Sequence, residues 1–153
     1  MAQSLAEGFT VMVDEVVAEL SRRGHPNVRA AHAFALRAVH GGADSAAKLA
    51  RSLGVSRHAA AKTVAAIEGL GYVERVHDPS DARGKRLQVT ARGRDMIDIG
   101  GQEFDAVRNR WAAEIGTRRL NELQADLAVL ARLSQPRPPE TEPIADPTDG
   151  SGG

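Results

Sequence analysis

Residues 45–90, SAAKLARSLGVSRHAAAKTVAAIEGLGYVERVHDPSDARGKRLQVT, constrain the fold more than any other part of the chain. Leu53-Gly54-Val55-Ser56 separates two amphipathic stretches. Gly54 stands where the chain must turn sharply, and only glycine takes positive φ at little cost. Ser56 follows as an N-cap, its hydroxyl able to accept from a free backbone N–H of the next helix. The first stretch, from about Ser45, carries Ala46, Leu49, Ala50 and Leu53 on one face. The second, from Arg57 to about Leu70, turns Ala60, Val64 and Ile67 inward at 3.6-residue spacing. Gly71 ends it as a C′ glycine. Tyr72–His77 and Lys85–Thr90 then have strand character, Leu87 and Val89 alternating with Arg86, Gln88 and Thr90. The turn-rich run Asp78–Gly84 joins them.

Helix, turn, helix and basic-tipped hairpin, in that order, make a winged helix-turn-helix. The expected fold is therefore mainly α with a small β-hairpin wing. The outward face of the second helix carries Arg57, His58, Ala61, Lys62 and Ala65. Such a helix fits the major groove of duplex DNA. Arg, Lys and His there donate to base edges or phosphates, and small methyls meet thymine. A solvated helix face has much the same composition, so the hairpin decides between the two. Arg83, Lys85 and Arg86 crowd its tip. Like charges add no stability to an exposed loop, but they gain from lying along phosphates or in a narrow minor groove. Asp81 is placed to pair with Arg83 and hold it extended, a surface contact worth only ~0–1 kcal/mol. The DNA-contact set is then Ser56, Arg57, His58, Ala61, Lys62, Arg83, Lys85 and Arg86, with Asp81 positioning the wing.

The ordered motifs resemble the MarR family of bacterial transcription regulators. They are LARSLGVSRHAAAKTVAAIEGLGYVER, with Gly71-Tyr72 at the strand start, then Asp78-Pro79, Asp81-Ala82-Arg83, Leu87-Gln88-Val89-Thr90 and Gly93 opening a long helix. The similarity covers roughly residues 4–134. It implies a homodimer held by its terminal helices that binds a palindromic operator, usually as a repressor, and is released by a small aromatic or anionic effector. The family's effector pocket lies between the dimer helices and the DNA-binding lobe. By resemblance it would here draw on His32, Leu36, Arg37 and His40. Members more often have polar residues where this chain has Ala59, Ala61, Ala65 and Ala66. That implies sparse base readout, with more left to the wing and to DNA shape. The alternative is a winged-helix protein-interaction module without DNA binding, which the alanines favour and the basic wing opposes.

The net charge of the 153 residues is zero, yet its distribution suits a nucleic-acid partner. Residues 51–94 hold nine Arg or Lys against four acids, whereas residues 1–50 hold five of each. Residues 95–134 hold five basic against seven acidic groups. The positive field is thus concentrated on the motif. With no cysteine, disulfides, thiolate metal sites and cysteine-based redox sensing are excluded. No cofactor or metal is expected, the five histidines being scattered. Catalytic constellations and phosphate-cradling glycine loops are missing too, so an enzyme is not expected. The first residues lack a signal peptide and no apolar run could span a bilayer, which implies a cytoplasmic protein with no membrane partner.

Flanking the lobe at about 28–90, dimerisation helices are expected at about 4–23 and 91–134. Ser4 and Glu7 have capping-box spacing, and Leu5, Phe9, Met12, Val16 and Leu20 make a stripe widened by Val13 and Val17. A second helix is expected from Val28 to Val39, with Val28, Ala31, Ala35, Leu36 and Val39 inward. Thr90 caps a long helix to about Ile115, in which Ile97, Phe104 and Trp111 recur every seven residues. Gly100-Gly101 predicts a bend or a close approach there. Gly116 breaks the chain before a last helix with a Leu120, Leu123, Leu127, Leu130 stripe. One wing covers one half-site, while two-fold dimers cover two, about one helical turn apart. The tail, 135–153, holds five of the seven prolines and four acids, and is expected to be disordered.

Overall fold

A computed structural model describes residues 2–81 and 84–133. The expected disordered tail at 135–153 lies outside the described residues, as do Ala82 and Arg83 of the wing. The element order is α1 (Ala2–Arg22), α2 (Ala30–His40), α3 (Ala46–Leu53), α4 (Arg57–Gly69), β1 (Val73–His77), β2 (Lys85–Val89), α5 (Ala91–Ile115) and α6 (Thr117–Leu133). Two compact units divide the chain at 111/112.

In the first unit, Val16 and Leu20 of α1 join one core with Leu36 and Val39 of α2, Leu49 of α3 and Val64 and Ile67 of α4. Tyr72, Val73, Leu87, Val89, Met96 and Ile99 complete it from the hairpin and α5. The hairpin is antiparallel in the register Val73↔Val89 to His77↔Lys85. That register puts Val73 and Val89 opposite each other, both buried in the core. The Leu87 N–H reaches outward to the Asp44 carbonyl at 2.7 Å, fastening the wing to the loop before α3.

Three sequence expectations are corrected, and a fourth is decided between its two alternatives. Ser4 does not cap α1, because the helix already runs from Ala2 and nothing in Ala2-Gln3 breaks it; Glu7 accepts instead from Gln3 at 2.9 Å. The second helix starts at Ala30, not Val28, because Asn27 takes a left-handed φ of 65° and Arg29 is extended. Ala31, expected inward, is exposed, since it falls in the first turn beyond the core face. The Gly100-Gly101 pair does not interrupt α5. Of the two alternatives, the close approach holds: Gly100 is buried, and a Cβ there would lie 3.9 Å from Val16 Cγ1, so it belongs to the packing of α5 against α1.

The turn between α1 and α2 holds a polar contact that hydrophobic periodicity does not predict. His25 is 2 % exposed, with Nδ1 3.2 Å from the Tyr72 hydroxyl and Nε2 2.9 Å from Asp95 Oδ2. A neutral ring with its proton on Nε2 donates to Asp95 and accepts from Tyr72, satisfying all three groups. The Arg92 guanidinium lies 5.1 Å from the Tyr72 ring centre and donates to the carbonyls of Gly24 and Leu70. Burial raises the Tyr72 pKa, against a smaller opposing effect of Arg92. His25→Ala removes one partner of the Tyr72 hydroxyl and leaves a cavity, and should lower unfolding free energy by about 2–4 kcal/mol in urea titration. A loss within about 0.5 kcal/mol would mean the contact is not structural.

The second unit contains the end of α5 and α6. Gly116 adopts a φ of 87° between them. On α6 Leu120 is buried, whereas Leu123, Leu127 and Leu133 are exposed.

Candidate nucleic-acid interface

The turn into α4 is built as its residues dictate. Gly54 is left-handed at φ 64°, and its N–H closes α3 on the Ala50 carbonyl. The Ser56 hydroxyl accepts from the Ala59 N–H at 3.1 Å, so Ser56 caps the helix that carries the basic groups. Ala60, Val64 and Ile67 are buried, which fixes the rotation of α4. Arg57, His58, Ala61, Lys62 and Ala65 are left exposed on the other side. At the far end the Tyr72 N–H donates to Ile67 and the Gly71 N–H to Glu68, each at 2.9 Å, with Gly71 left-handed. This double closure is a Schellman motif, and it passes the chain directly into β1. Arg75 Nε, 3.2 Å from both oxygens of Glu68, ties the strand to the helix.

The wing is organised by Asp78, which the sequence marks as part of the Asp78-Pro79 motif but not as the residue that positions the wing. Its Oδ1 accepts from the Ser80 N–H at 2.9 Å and the Ser80 hydroxyl at 2.7 Å. These bonds hold its pKa below the usual carboxylate range, Ser80 contributing most and Arg86 and Lys48 adding charge attraction. The Asp-x-Ser spacing was a signal for this Asx turn. Asp78 N–H to Gly84 carbonyl and Gly84 N–H to Asp81 carbonyl, both 3.0 Å, close the loop. Asp81 lies against Gly84, where a Cβ would stand 2.8 Å from Asp81 Oδ2. Its expected pairing with Arg83 lies outside the described residues. Lys85 and Arg86 are exposed on the return strand.

The four residues named for an effector do not share a cavity. Leu36 is fully buried in the core. Arg37 lines a crevice between α1, α2 and α5 of only about 10 Å³, which holds at most one water. His40 is exposed beside Arg86 and Arg94. His32 lines a separate cleft with Arg29 and Lys62. His32 Nδ1 accepts from the Arg29 backbone N–H at 3.3 Å, securing the start of α2. Burial, then the Arg29 charge, lowers the His32 pKa below 6.5. Folding therefore favours the neutral ring. Its contribution is present above the unfolded value and lost as pH falls through the folded one. Between pH 7 and 5 the wild type should lose more stability than His32→Ala, measured by urea unfolding at each pH; parallel curves would contradict this.

Residues 27–84 match the sequence model of the MarR family. Comparison with curated proteins gave no match. Among solved structures, a MarR family transcription regulator is similar at TM-score 0.71 and 19% identity, with 86% of each chain covered. CouR from Rhodococcus jostii RHA1, bound to p-coumaroyl-CoA, is similar at TM-score 0.66 and 23% identity, covering 87% of this chain and 92% of that one. A Mycobacterium tuberculosis MarR family protein in complex with salicylic acid reaches TM-score 0.62 and 26% identity, over 85% and 95%. The family match spans α2 to α4 and most of the wing, and the similar solved structures extend over 85–87% of the chain. Residues 27–84 thus match the MarR family, and the chain shares its fold with solved MarR family structures.

Proposed function

We propose that the protein is a homodimeric DNA-binding regulator, a repressor that grips a palindromic operator and is released by a small effector. One observation carries this reading. Arg57, His58 and Lys62 stand exposed on a helix whose rotation is fixed by Ala60, Val64 and Ile67, with Lys85 and Arg86 exposed on the wing. A helix offers its side chains to the major groove while the wing follows phosphates. Arg83 is assigned to the wing contact from its place in the sequence. Dimerisation is supported by exposed apolar residues on the terminal helices, Leu5 and Phe9 on α1 and Leu123, Leu127 and Leu133 on α6. Effector response is supported by the two ligand-bound relatives. No described helix is long and apolar enough to cross a membrane, and a DNA-binding regulator would work in the cytoplasm.

The test is a mobility shift with DNA from upstream of the protein's own gene. Retardation that weakens steeply with salt is the expected result. Failure to bind any duplex at low salt would sink the proposal.

A further inference from the structure

As a DNA reader, α4 is defined by the groups it lacks. Over Arg57–Gly69 the only polar side chains besides Arg57, His58 and Lys62 are Thr63 and Glu68. Both are engaged within the protein. The Thr63 hydroxyl donates to the Ala59 carbonyl at 3.0 Å, and Arg75 Nε donates to both Glu68 oxygens at 3.2 Å. Ser56, just before the helix, is occupied as its cap. Adenine is read by the paired donor and acceptor of Asn or Gln, and cytosine N4 by an acidic acceptor. The exposed face of α4 offers neither. Arg57 and Lys62 only donate, which suits guanine and phosphate oxygens. What remains on that face is methyl groups. Ala61 and Ala65 are exposed, one turn apart, on a helix whose rotation is fixed by the burial of Ala60, Val64 and Ile67. Side chains four residues apart stand about 5–6 Å from one another. Being short, these two let the helix backbone come close to the base edges. The apolar group that the major groove presents there is the thymine C5-methyl.

We propose that Ala61 and Ala65 are specificity-determining residues, each packing its methyl against the C5-methyl of a thymine in the major groove of the half-site. This rests on the DNA-binding reading and deepens it. Thymine is read by apolar contact, while the cations of the same face supply affinity. Each methyl pair leaves water on binding, so losing one should weaken binding about fourfold, the worth of one buried methyl or methylene.

The test uses the tightest duplex that the full chain selects from a random-sequence pool. Each thymine of the half-site is replaced in turn by deoxyuridine, which differs only in lacking the C5-methyl. Two of these replacements should each weaken wild-type binding about fourfold, and about 15-fold when made in both halves of an inverted repeat. Ala61→Gly should reduce the 15-fold penalty to within about twofold at one of these thymines, and Ala65→Gly at the other. A general loss of stability or affinity in the glycine variants cancels, because each is compared with itself on thymine and uracil duplexes. Wild-type binding that is insensitive to deoxyuridine would overturn the proposal. So would selected half-sites without thymine, or penalties that persist in both glycine variants and so act through DNA shape. A chain that binds no duplex at low salt contradicts the DNA-binding reading and this inference together. Tight duplex binding that is blind to uracil contradicts this inference alone.

Discussion

Replacing Lys85 and Arg86 together by alanine should weaken duplex binding by about 10²- to 10³-fold near physiological salt. Two cations per protomer are four per dimer. Each phosphate contact contributes about 0.9 to the slope of log K against log salt, so the slope should become shallower by about 3–4. Both side chains are exposed, and neither belongs to the core. Folding should therefore change by no more than about 0.5 kcal/mol, which separates this variant from an unfolded one. The loss should be nearly the same for operator and unrelated DNA, since phosphate contacts carry little sequence information. An unchanged slope would remove the wing from the interface. A loss confined to the operator would make these residues base readers instead.

Gly93→Ala should cost at least about 3 kcal/mol of stability, the largest effect expected of any single methyl added here. A Cβ at Gly93 would stand 2.2 Å from the Tyr72 carbonyl oxygen and 2.7 Å from Val89 Cγ1. The first contact is with backbone that cannot swing aside. Thr90 holds it in place: its N–H donates to the Tyr72 carbonyl at 3.0 Å, and its hydroxyl donates to the Gly71 carbonyl at 2.7 Å. The same hydroxyl accepts from the Gly93 N–H at 3.0 Å, capping α5. The start of the long helix is thereby seated on the junction between α4 and β1. The urea midpoint should fall sharply with little change in m. Gly101→Ala is the control: nothing lies within 4 Å of its added Cβ, and it should gain up to about 1 kcal/mol from helix propensity. Equal stability of the two variants would contradict the close packing at Gly93.

The parts of the fold legible in the sequence are those fixed by a local backbone demand. Gly54, Ser56, Gly71 and Thr90 each satisfy a helix end within three residues, so the residue type announces the geometry. The start of β2 at Lys85 follows from alternation, whereas the strand stops at Val89, one residue short of the expected Thr90, which caps α5 instead. Ser4 misled because a helix N-terminus is set by what precedes it, and Ala2-Gln3 continues a helix as readily as Ser4 starts one. His25 was illegible for another reason. Its partners Tyr72 and Asp95 lie 47 and 70 residues away, and no spacing rule connects them. The cleft beside α4 was hidden because its walls come from the start of α2 and the flank of α4.

On the proposed function, two copies of the chain hold one duplex through paired α4 helices and wings. Sedimentation of a fluorescent duplex containing an inverted repeat from the upstream DNA tests it most directly. The predicted result is one complex carrying two protomers, formed from a protein that is already a dimer without DNA, and lost as salt rises. A chain that stays monomeric at working concentration, or a duplex that sediments unchanged at low salt, would contradict it.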